Sequence, residues 1–267
     1  MHKVHIDHRD SIIKERMSRV KNKILVMSNK GGVGKSSIAV MIARALSEKG
    51  LRVCLLDADI HGPSIAKMTG IENLSHESPD ENTIKPIEKS GIRIVSMGSI
   101  VKDSDKALIW RGPIKITVIK QLLADFDWGD ADYMIIDLPP GTGDEPLSIC
   151  QFIGELKGAV IVTTGQKISF LDVSKAMDFL EKLNIKILSV AENMAEFICS
   201  SCGKTLPLFR SKNSSRPDFR GARLVSIPFD PEIMYKLDEG NIENLFDGKE
   251  KIKEKILSLM EDGNGKN

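Results

Sequence analysis

The chain has 267 residues, of which 41% are hydrophobic, and this is long enough to bury the core of one full domain. Lysine and arginine number 38 against 37 aspartate and glutamate residues, so the net charge of +1 gives no overall electrostatic reason to expect nucleic acid or an anionic membrane as a partner. No apolar run approaches the ~18 residues of a membrane span, and the first residues are charged, so we expect a cytoplasmic protein without a membrane partner.

A mostly polar lead-in segment, residues 1–22, opens the chain. Its apolar residues recur at roughly helical spacing and predict a short helix; they are Ile12, Ile13, Met17 and Val20. Residues 23–27 form a short apolar run that predicts a buried strand, and a glycine-rich turn and a helical pattern over residues 36–49 follow it. Residues 23–267 contain no linker and no internal repeat, so we predict a single domain there.

Further apolar runs alternate with helical patterns along the rest of the chain. The predicted strands cover residues 53–56, 92–97, 133–136, 159–163, 187–190 and 224–227. Strands that alternate with helices favour an α/β fold of three layers, in which a mostly parallel central sheet is flanked by helices. In such a sheet the loops after the strands meet at one edge, so we expect the candidate chemistry to converge there.

The glycine-rich turn after the first strand has the pattern of a phosphate loop. Glycines let the backbone approach phosphate and point N–H groups at it, and the helix that follows adds its positive N-terminal end. By position, Lys35 reaches the terminal phosphates and the Ser36 hydroxyl binds Mg²⁺. Asn29 stands where the general pattern has glycine, and asparagine tolerates a left-handed backbone. We predict that the nucleotide is bound by Asn29, Lys30, Gly31, Gly32, Val33, Gly34, Lys35, Ser36 and Ser37.

Three aspartates that follow strands are candidates for Mg²⁺ binding and catalysis. Asp57 and Asp59 come after the strand at residues 53–56, and Asp137 follows the strand at residues 133–136. Phosphoryl transfer needs mainly positioning and charge stabilisation, with one group that orients the attacking water. The alternative is a structural role, in which these carboxylates cap helices.

The four cysteines are too few and too unevenly placed for a disulfide framework. Cys54 and Cys150 stand alone and are expected in the apolar core. Cys199 and Cys202 form a C-x-x-C pair, which supplies half of the ligands that a tetrahedral zinc or a [4Fe-4S] cluster requires. All five histidines lie at or before position 76, and two copies of the pair in a symmetric dimer give four thiolates. A bridging cluster, a bridging zinc and a redox-active or incidental dithiol all stay open.

The second lysine of the phosphate loop, Lys30, resembles the deviant Walker A signature of the superfamily that includes MinD, ParA, Mrp and the nitrogenase iron protein. The resemblance implies a P-loop ATPase that forms a nucleotide-bound homodimer, in which Lys30 contacts phosphates across the interface and acts in catalysis with Lys35. It also implies that Asp59 orients or activates the attacking water. Asp57 would support Mg²⁺, and Asp137 would occupy the Walker B position and hold Mg²⁺ through water.

Five segments, in family order, resemble the Mrp/ApbC family of iron–sulfur cluster carriers. They are residues 57–64 (DADIHGPS), 110–113 (WRGP), 137–144 (DLPPGTGD), 192–194 (ENM) and 199–203 (CSSCG). In that family the asparagine that matches Asn193 contacts the adenine base, which implies ATP, and the segment matching residues 139–143 is a second switch. The resemblance implies an ATPase that hydrolyses ATP slowly, binds a [4Fe-4S] cluster through Cys199 and Cys202 of both copies, and transfers it to client apoproteins.

Other functions stay open at this point. A MinD- or ParA-like positioning ATPase would bind a membrane or DNA, a zinc-bridged dimeric ATPase would carry no cluster, and a metabolic kinase would transfer phosphate to a small molecule. The C-terminal apolar residues sit among lysines and predict either a basic amphipathic surface helix or a last helix packed on the sheet; they are Ile252, Ile256, Leu257, Leu259 and Met260.

Two segments depart from the family pattern. Gly165 stands where the family often has proline. Residues 205–223 differ more extensively and carry five basic residues, which predict either a solvated loop or a docking surface for an acidic partner; they are Arg210, Lys212, Arg216, Arg220 and Arg223.

Overall fold

The computed structural model describes residues 8–60, 62–80, 83–100, 112–199, 202, 204–209 and 218–261. Several residues named from the sequence lie outside this part of the chain; they are His61, Trp110, Arg111, Gly203, Arg210, Lys212 and Arg216. The helices of the described part are α1 (His8–Ser18), α2 (Lys35–Ser47), α3 (Ile65–Thr69), α4 (Met97–Ile100), α5 (Gly112–Ala124), α6 (Asp144–Ile153), α7 (Lys167–Lys182), α8 (Pro231–Asp238) and α9 (Glu250–Ser258). The strands are β1 (Val20–Met27), β2 (Val53–Asp57), β3 (Ile87–Lys89), β4 (Ile92–Ser96), β5 (Ala131–Asp137), β6 (Gly158–Thr164), β7 (Ile187–Asn193), β8 (Glu196–Ile198), β9 (Thr205–Pro207) and β10 (Arg223–Ser226).

Eight of these strands form one sheet in the order β10-β7-β6-β1-β5-β2-β4-β3, and β8 pairs with β9 in a separate two-stranded sheet. Neighbours in the large sheet run parallel except β3, which is antiparallel to β4 at one edge. Helices cover both faces, so the predicted three-layer α/β fold is confirmed.

The two faces of the sheet carry separate apolar cores. Residues alternate between them along each strand, since successive side chains of a strand point to opposite faces. In β1, Ile24 and Val26 pack with α2, α3, α8 and α9, whereas Leu25 and Met27 pack with α1, α5, α6 and α7. Both sets of side chains are fully buried, which explains why the strands read as continuous apolar runs.

The strands predicted from apolar runs are all present, and their ends differ from the predicted ones by at most three residues. The strand β1 begins at Val20, so the predicted boundary at residue 22 falls within it. Polar residues interrupt the apolar pattern there, but Val20 pairs with Ala131 and Asn22 with Tyr133 of β5. Backbone pairing therefore extends the strand beyond its apolar run.

The helices at the two ends of the chain both pack on the sheet. In α1, Ile13 and Met17 are each 2% exposed and belong to one core. In α9, Ile252 and Ile256 are buried in the other core, and Leu259 follows them there. The C-terminal stripe is therefore a packed helix face, as one of the two interpretations predicts. No helix within the described ranges is long and apolar enough to cross a membrane.

Candidate functional site

The phosphate loop lies between β1 and α2, and β1 is flanked by β5 and β6 in the middle of the sheet. Strands later in the chain are added on both sides of it, so the loop occupies the point where ligands bind in open α/β sheets. Gly32 and Gly34 have positive φ angles of 79° and 84°, and Gly34 is the N-cap of α2. These conformations favour glycine and turn the backbone around a small cavity.

This cavity, which we call the phosphate cavity, has a volume of about 250 Å³. It is lined by Ser28, Gly31, Gly32, Gly34, Lys35, Ser36, Ser37, Asp59, Gly62, Ser64, Met68 and Pro140. Six of the predicted loop residues therefore share one cavity with the predicted catalytic Asp59. The other predicted nucleotide-binding residues lie off its lining; they are Asn29, Lys30, Val33 and Asn193.

Lys35 and Ser36 both donate hydrogen bonds to Asp137 at the end of β5. The Lys35 Nζ lies 2.5 Å from Asp137 Oδ1, and the Ser36 Oγ lies 2.5 Å from Asp137 Oδ2. Burial raises the pKa of Asp137, and the charge and hydrogen bond of Lys35 oppose that rise. A buried carboxylate next to a serine hydroxyl offers the hard oxygen ligands that Mg²⁺ prefers, so these residues fit that ion.

Asp57 lies beside Asp137 on the neighbouring strand, in direct register with it. Its carboxylate is fully buried and accepts hydrogen bonds from Ser96 Oγ at 2.8 Å, and from the backbone N–H groups of Ile65 and Asp59 at 3.2 Å each. Burial and the nearby Asp137 charge raise the pKa of Asp57. Asp57 thus holds the first residue of α3, which is the structural role weighed above, and it also adds a second carboxylate next to Asp137.

Asp59 has a different environment from Asp57. Its side chain is only partly buried, lines the phosphate cavity and accepts a hydrogen bond from Gly62 N at 3.2 Å. The strand β2 ends at Asp57, so Asp59 lies in the loop that follows at the edge of the sheet. A carboxylate in this place can contact both solvent and a bound phosphate.

Asn29 does not adopt the left-handed backbone that its sequence position suggested. Its φ is not among the positive values found in the described residues. The side chain instead donates a hydrogen bond to Asp172 Oδ1 in α7 at 2.8 Å. Asparagine at this position therefore ties the start of the phosphate loop to α7, and glycine could not make that contact.

Three more predicted residues of the loop region have distinct positions. Lys30 is exposed to solvent, in contrast to the buried Lys35. Val33 is 5% exposed and packs in the core, so only its backbone is available to a ligand. Asn193 ends β7 and is 4% exposed, and its Nδ2 donates to the Val33 carbonyl at 2.9 Å. The predicted adenine contact of Asn193 stays a prediction, and in this conformation its amide holds the phosphate loop.

Cys199 and Cys202 lie between the two strands of the small sheet. The strands β8 and β9 pair antiparallel with Phe197 opposite Leu206, and Cys199 N donates to Lys204 O at 3.0 Å. We call β8 and β9, together with Cys199, Cys202 and Lys204, the cysteine hairpin. Cys199 is half-buried and Cys202 is exposed, whereas Cys54 and Cys150 are buried in the core as predicted. The described ranges contain no group of three or more His, Cys, Asp or Glu residues placed to hold a metal ion.

Some residues of the site were not singled out from the sequence. Ser28 directly follows β1, Met68 comes from α3, and Ser96 ends β4 behind Asp57. The rule that loops after parallel strands share one edge could have indicated Ser96. The rule could not have indicated that Ser96 bonds Asp57, because neither apolar run encodes that β2 and β4 are neighbours in the sheet.

The described part of the basic segment at residues 205–223 is engaged within the chain. Arg220 pairs with Asp178 at 2.6 Å and with Glu181 at 2.8 Å, and Arg223 pairs with Glu261 at 2.8 Å. At these two arginines, the contacts therefore argue against a free basic docking surface and also against a loop surrounded only by solvent.

Comparison with known proteins gives a consistent set of similarities. The family described as ParA, NUBPL iron-transfer P-loop NTPase, matches residues 19–262. A protein of Methanocaldococcus jannaschii named iron-sulfur cluster carrier protein is 41% identical over 261 residues, covering 96% of this chain and 90% of that protein. A protein of Caenorhabditis elegans named cytosolic Fe-S cluster assembly factor NUBP1 homolog is 40% identical, covering 92% of this chain and 84% of that protein. Among solved structures, the nucleotide-binding protein of Archaeoglobus fulgidus in complex with ADP superimposes with a TM-score of 0.75 at 34% identity, covering 88% of this chain and 92% of that one.

Proposed function

The chain belongs to the ParA family of NUBPL-type iron-transfer P-loop NTPases, and on that premise we propose that it is an ATP-hydrolysing carrier of iron–sulfur clusters. Two copies of the chain hold one [4Fe-4S] cluster as cargo between their Cys199 and Cys202 pairs and pass it to client apoproteins. Binding and slow hydrolysis of Mg–ATP at the phosphate loop control loading or release.

The observation that carries this proposal is the position of the cysteine hairpin. Cys199 and Cys202 lie at the exposed end of a small sheet, and no third protein ligand lies with them in the described ranges. Two thiolates are half of what a [4Fe-4S] cluster needs, so a second copy of the same hairpin completes the set at a two-fold axis. A half-site on each chain also suits cargo that must leave, because one chain alone does not close it as it closes a structural metal site.

The nucleotide role rests on the phosphate cavity. Glycines with positive φ, the N-terminus of α2 and the Lys35 side chain provide the positive groups that bind phosphates. Asp57, Asp137 and Ser36 fit Mg²⁺, and in this proposal Asp59 orients the attacking water. The ADP complex of the A. fulgidus protein supports adenine nucleotides as ligands. The names of the two relatives support the cluster as cargo, and the C. elegans name supports a cytosolic location.

The test is anaerobic reconstitution with iron and sulfide, followed by absorbance, iron and sulfide counts, and molecular mass. The unchanged chain should develop a broad band near 400 nm and bind about four irons per dimer. The Cys199→Ala, Cys202→Ala double variant should lose both. A Cys54→Ala, Cys150→Ala variant is the matched control, because it also removes two thiols but should retain the cluster.

Two results would contradict the cargo proposal. A colourless dimer with stoichiometric zinc would indicate a zinc-bridged ATPase. A chain that binds no metal, yet binds vesicles or DNA only with ATP, would indicate a positioning ATPase of the MinD or ParA type.

A further inference from the structure

We propose that Asn193 and Met194 form a hinge through which nucleotide binding at the phosphate loop changes the arrangement of the cysteine hairpin. This inference rests on the proposed function, because it assigns regulation to the same cysteine pair. The two sites are almost continuous in sequence. The strand β7 ends at Asn193 against the phosphate loop, and the cysteine hairpin begins at Glu196, so two residues separate them.

The first half of the hinge contacts the nucleotide site. Asn193 Nδ2 donates to Val33 O at 2.9 Å. A Cβ added to Gly34 would lie 2.2 Å from Asn193 Nδ2 and 3.6 Å from Met194 Cε, so both side chains pack directly on the Gly34 backbone. Gly34 starts the helix that binds phosphate. A ligand that shifts this backbone or attracts the Asn193 amide must therefore disturb both hinge residues.

The second half of the hinge holds an unfavourable backbone conformation. Met194 has a φ of 53°, in the left-handed region that residues with a Cβ rarely adopt. Such a conformation persists only where the surroundings hold it. Here it is held from both sides, because Ile227 N donates to Glu192 O at 2.9 Å and Ala195 N donates to Ile227 O at 3.0 Å. When the contact with Gly34 and the Ala195–Ile227 bond are both released, Met194 can relax toward an ordinary φ.

The cysteine hairpin can transmit this change to the thiols. Its strands are joined by backbone pairing from Glu196 opposite Pro207 to Cys199 N on Lys204 O. Phe229 N also donates to Glu196 O at 2.7 Å, so the hairpin moves as one unit together with the chain at Phe229. Six residues from Asn193 to Cys199 span up to ~20 Å in extended conformation. A small rotation at Met194 that carries Phe229 with the hairpin thus displaces Cys199 and Cys202.

The coupling that follows is a shift between two populations. In one, the Asn193 amide holds Val33 O and Met194 is left-handed; in the other, bound nucleotide takes the amide and the hairpin rotates. A ligand that favours one arrangement at the phosphate loop changes thiol exposure. Conversely, cargo held by the thiols changes nucleotide affinity by the same factor.

The experiment measures alkylation of cluster-free protein by N-ethylmaleimide, with and without saturating Mg²⁺ and a non-hydrolysable ATP analogue. Mass spectrometry of peptides gives the rates at Cys199 and Cys202 separately. In the unchanged chain, nucleotide should alter these rates by about fivefold or more, the lower end of typical coupling between two sites. Met194→Gly should bring the ratio close to one while the analogue still binds, because glycine is free in either conformation and makes no contact with Gly34.

Asn184→Gly is the matched control. Asn184 also has a φ of 53° and precedes β7 at its other end, away from the phosphate loop, so this variant should keep the full nucleotide effect. Both glycine variants should fold, since glycine is compatible with positive φ, and their thermal midpoints check this.

Two results would overturn the hinge: an unchanged chain that binds the analogue without any change in alkylation, or a Met194→Gly variant with the full effect. Neither depends on a cluster. A nucleotide-dependent alkylation rate in a protein that never accepts a cluster would leave the hinge standing and reject the cargo proposal. A reconstituted cluster without nucleotide-dependent alkylation would reject the hinge and leave the cargo proposal standing.

Discussion

Asp57 and Asp59 are two residues apart and have opposite environments. Asp57 is fully buried and accepts three hydrogen bonds, whereas Asp59 is partly exposed and lines the phosphate cavity. A group that orients water must reach both solvent and phosphate, so we predict this role for Asp59 and not for Asp57. We expect Asp59→Asn to bind ATP as the unchanged chain does but to hydrolyse it about 100-fold more slowly, because general-base catalysis contributes that much.

Nucleotide binding by fluorescence and phosphate release in single-turnover conditions test this prediction. Asp238→Asn is a suitable control, since Asp238 is an exposed aspartate whose carboxylate pairs with Lys67 on the surface. It should leave both quantities unchanged. Equal hydrolysis by Asp59→Asn and the unchanged chain would remove Asp59 from the catalytic role.

Ser96 illustrates how a neutral side chain supports a buried charge. Its hydroxyl is fully buried, donates to Asp57 Oδ2 at 2.8 Å and accepts from Gly98 N at 3.2 Å. Ser96→Ala leaves both partners without this bond, so we expect unfolding in urea to show a loss of about 1–3 kcal/mol. Ser18→Ala is the control, because that hydroxyl is exposed and bonds only Glu15 O; it should change stability by less than ~0.5 kcal/mol. If Ser96→Ala leaves the free energy of unfolding unchanged, the hydroxyl does not support Asp57.

The four cysteines should differ sharply in reactivity. Burial raises the pKa of the Cys54 and Cys150 thiols to about 12, so almost no reactive thiolate forms there at neutral pH. Cys202 is exposed and Cys199 is half-buried. Native protein at pH 7.5 should therefore gain two adducts per chain with N-ethylmaleimide, and protein unfolded in urea should gain four. A third adduct under native conditions would contradict the buried placement of Cys54 or Cys150.

At the scale of elements, the sequence predicts what a local signal encodes. The phosphate loop is marked by glycines and seven strands of the large sheet are marked by apolar runs, so the predicted β2 and β6 agree with the structure to within one residue at each end. The three-residue strands β3, β8 and β9 have no such run, because they exist through pairing with a neighbour. For the same reason the sequence identified Cys199 and Cys202 but not the hairpin that presents them. The contact between Asn29 and Asp172 joins residues 143 positions apart, which no local pattern encodes.

The C-terminal helix α9 is an integral part of one core. Ile256 is fully buried, and Lys251 on the same helix is exposed. Ile256→Ala should therefore lower the free energy of unfolding by about 2–5 kcal/mol through lost burial and a residual cavity. Lys251→Ala should change it by less than ~0.5 kcal/mol. Urea unfolding measures both; similar values for the two variants would mean that α9 is not packed as described and would revive the surface-helix interpretation.

At the scale of the whole molecule, the proposed function requires a second copy at both candidate sites, for different reasons. The cysteine hairpin supplies two thiolates, so a four-thiolate cluster needs two chains. In the phosphate loop, Lys35 is buried on Asp137 of its own chain, whereas Lys30 is exposed. An exposed lysine beside the phosphate cavity is suited to the nucleotide of a facing chain, as the family resemblance implies.

Mixing two inactive variants tests whether Lys30 acts across the dimer. Lys30→Ala keeps Asp59 but lacks its own lysine, and Asp59→Asn keeps Lys30 but cannot orient water. In a mixed dimer the Lys30→Ala chain receives Lys30 from its partner, so one of the two sites becomes complete. Random mixing of equal amounts makes half of the dimers mixed, and we therefore expect about a quarter of the normal hydrolysis rate. Each variant alone should stay near background. If hydrolysis by the mixture also stays near background while size measurements show mixed dimers, Lys30 acts on the nucleotide of its own chain. The exposed position of Lys30 must then have another cause.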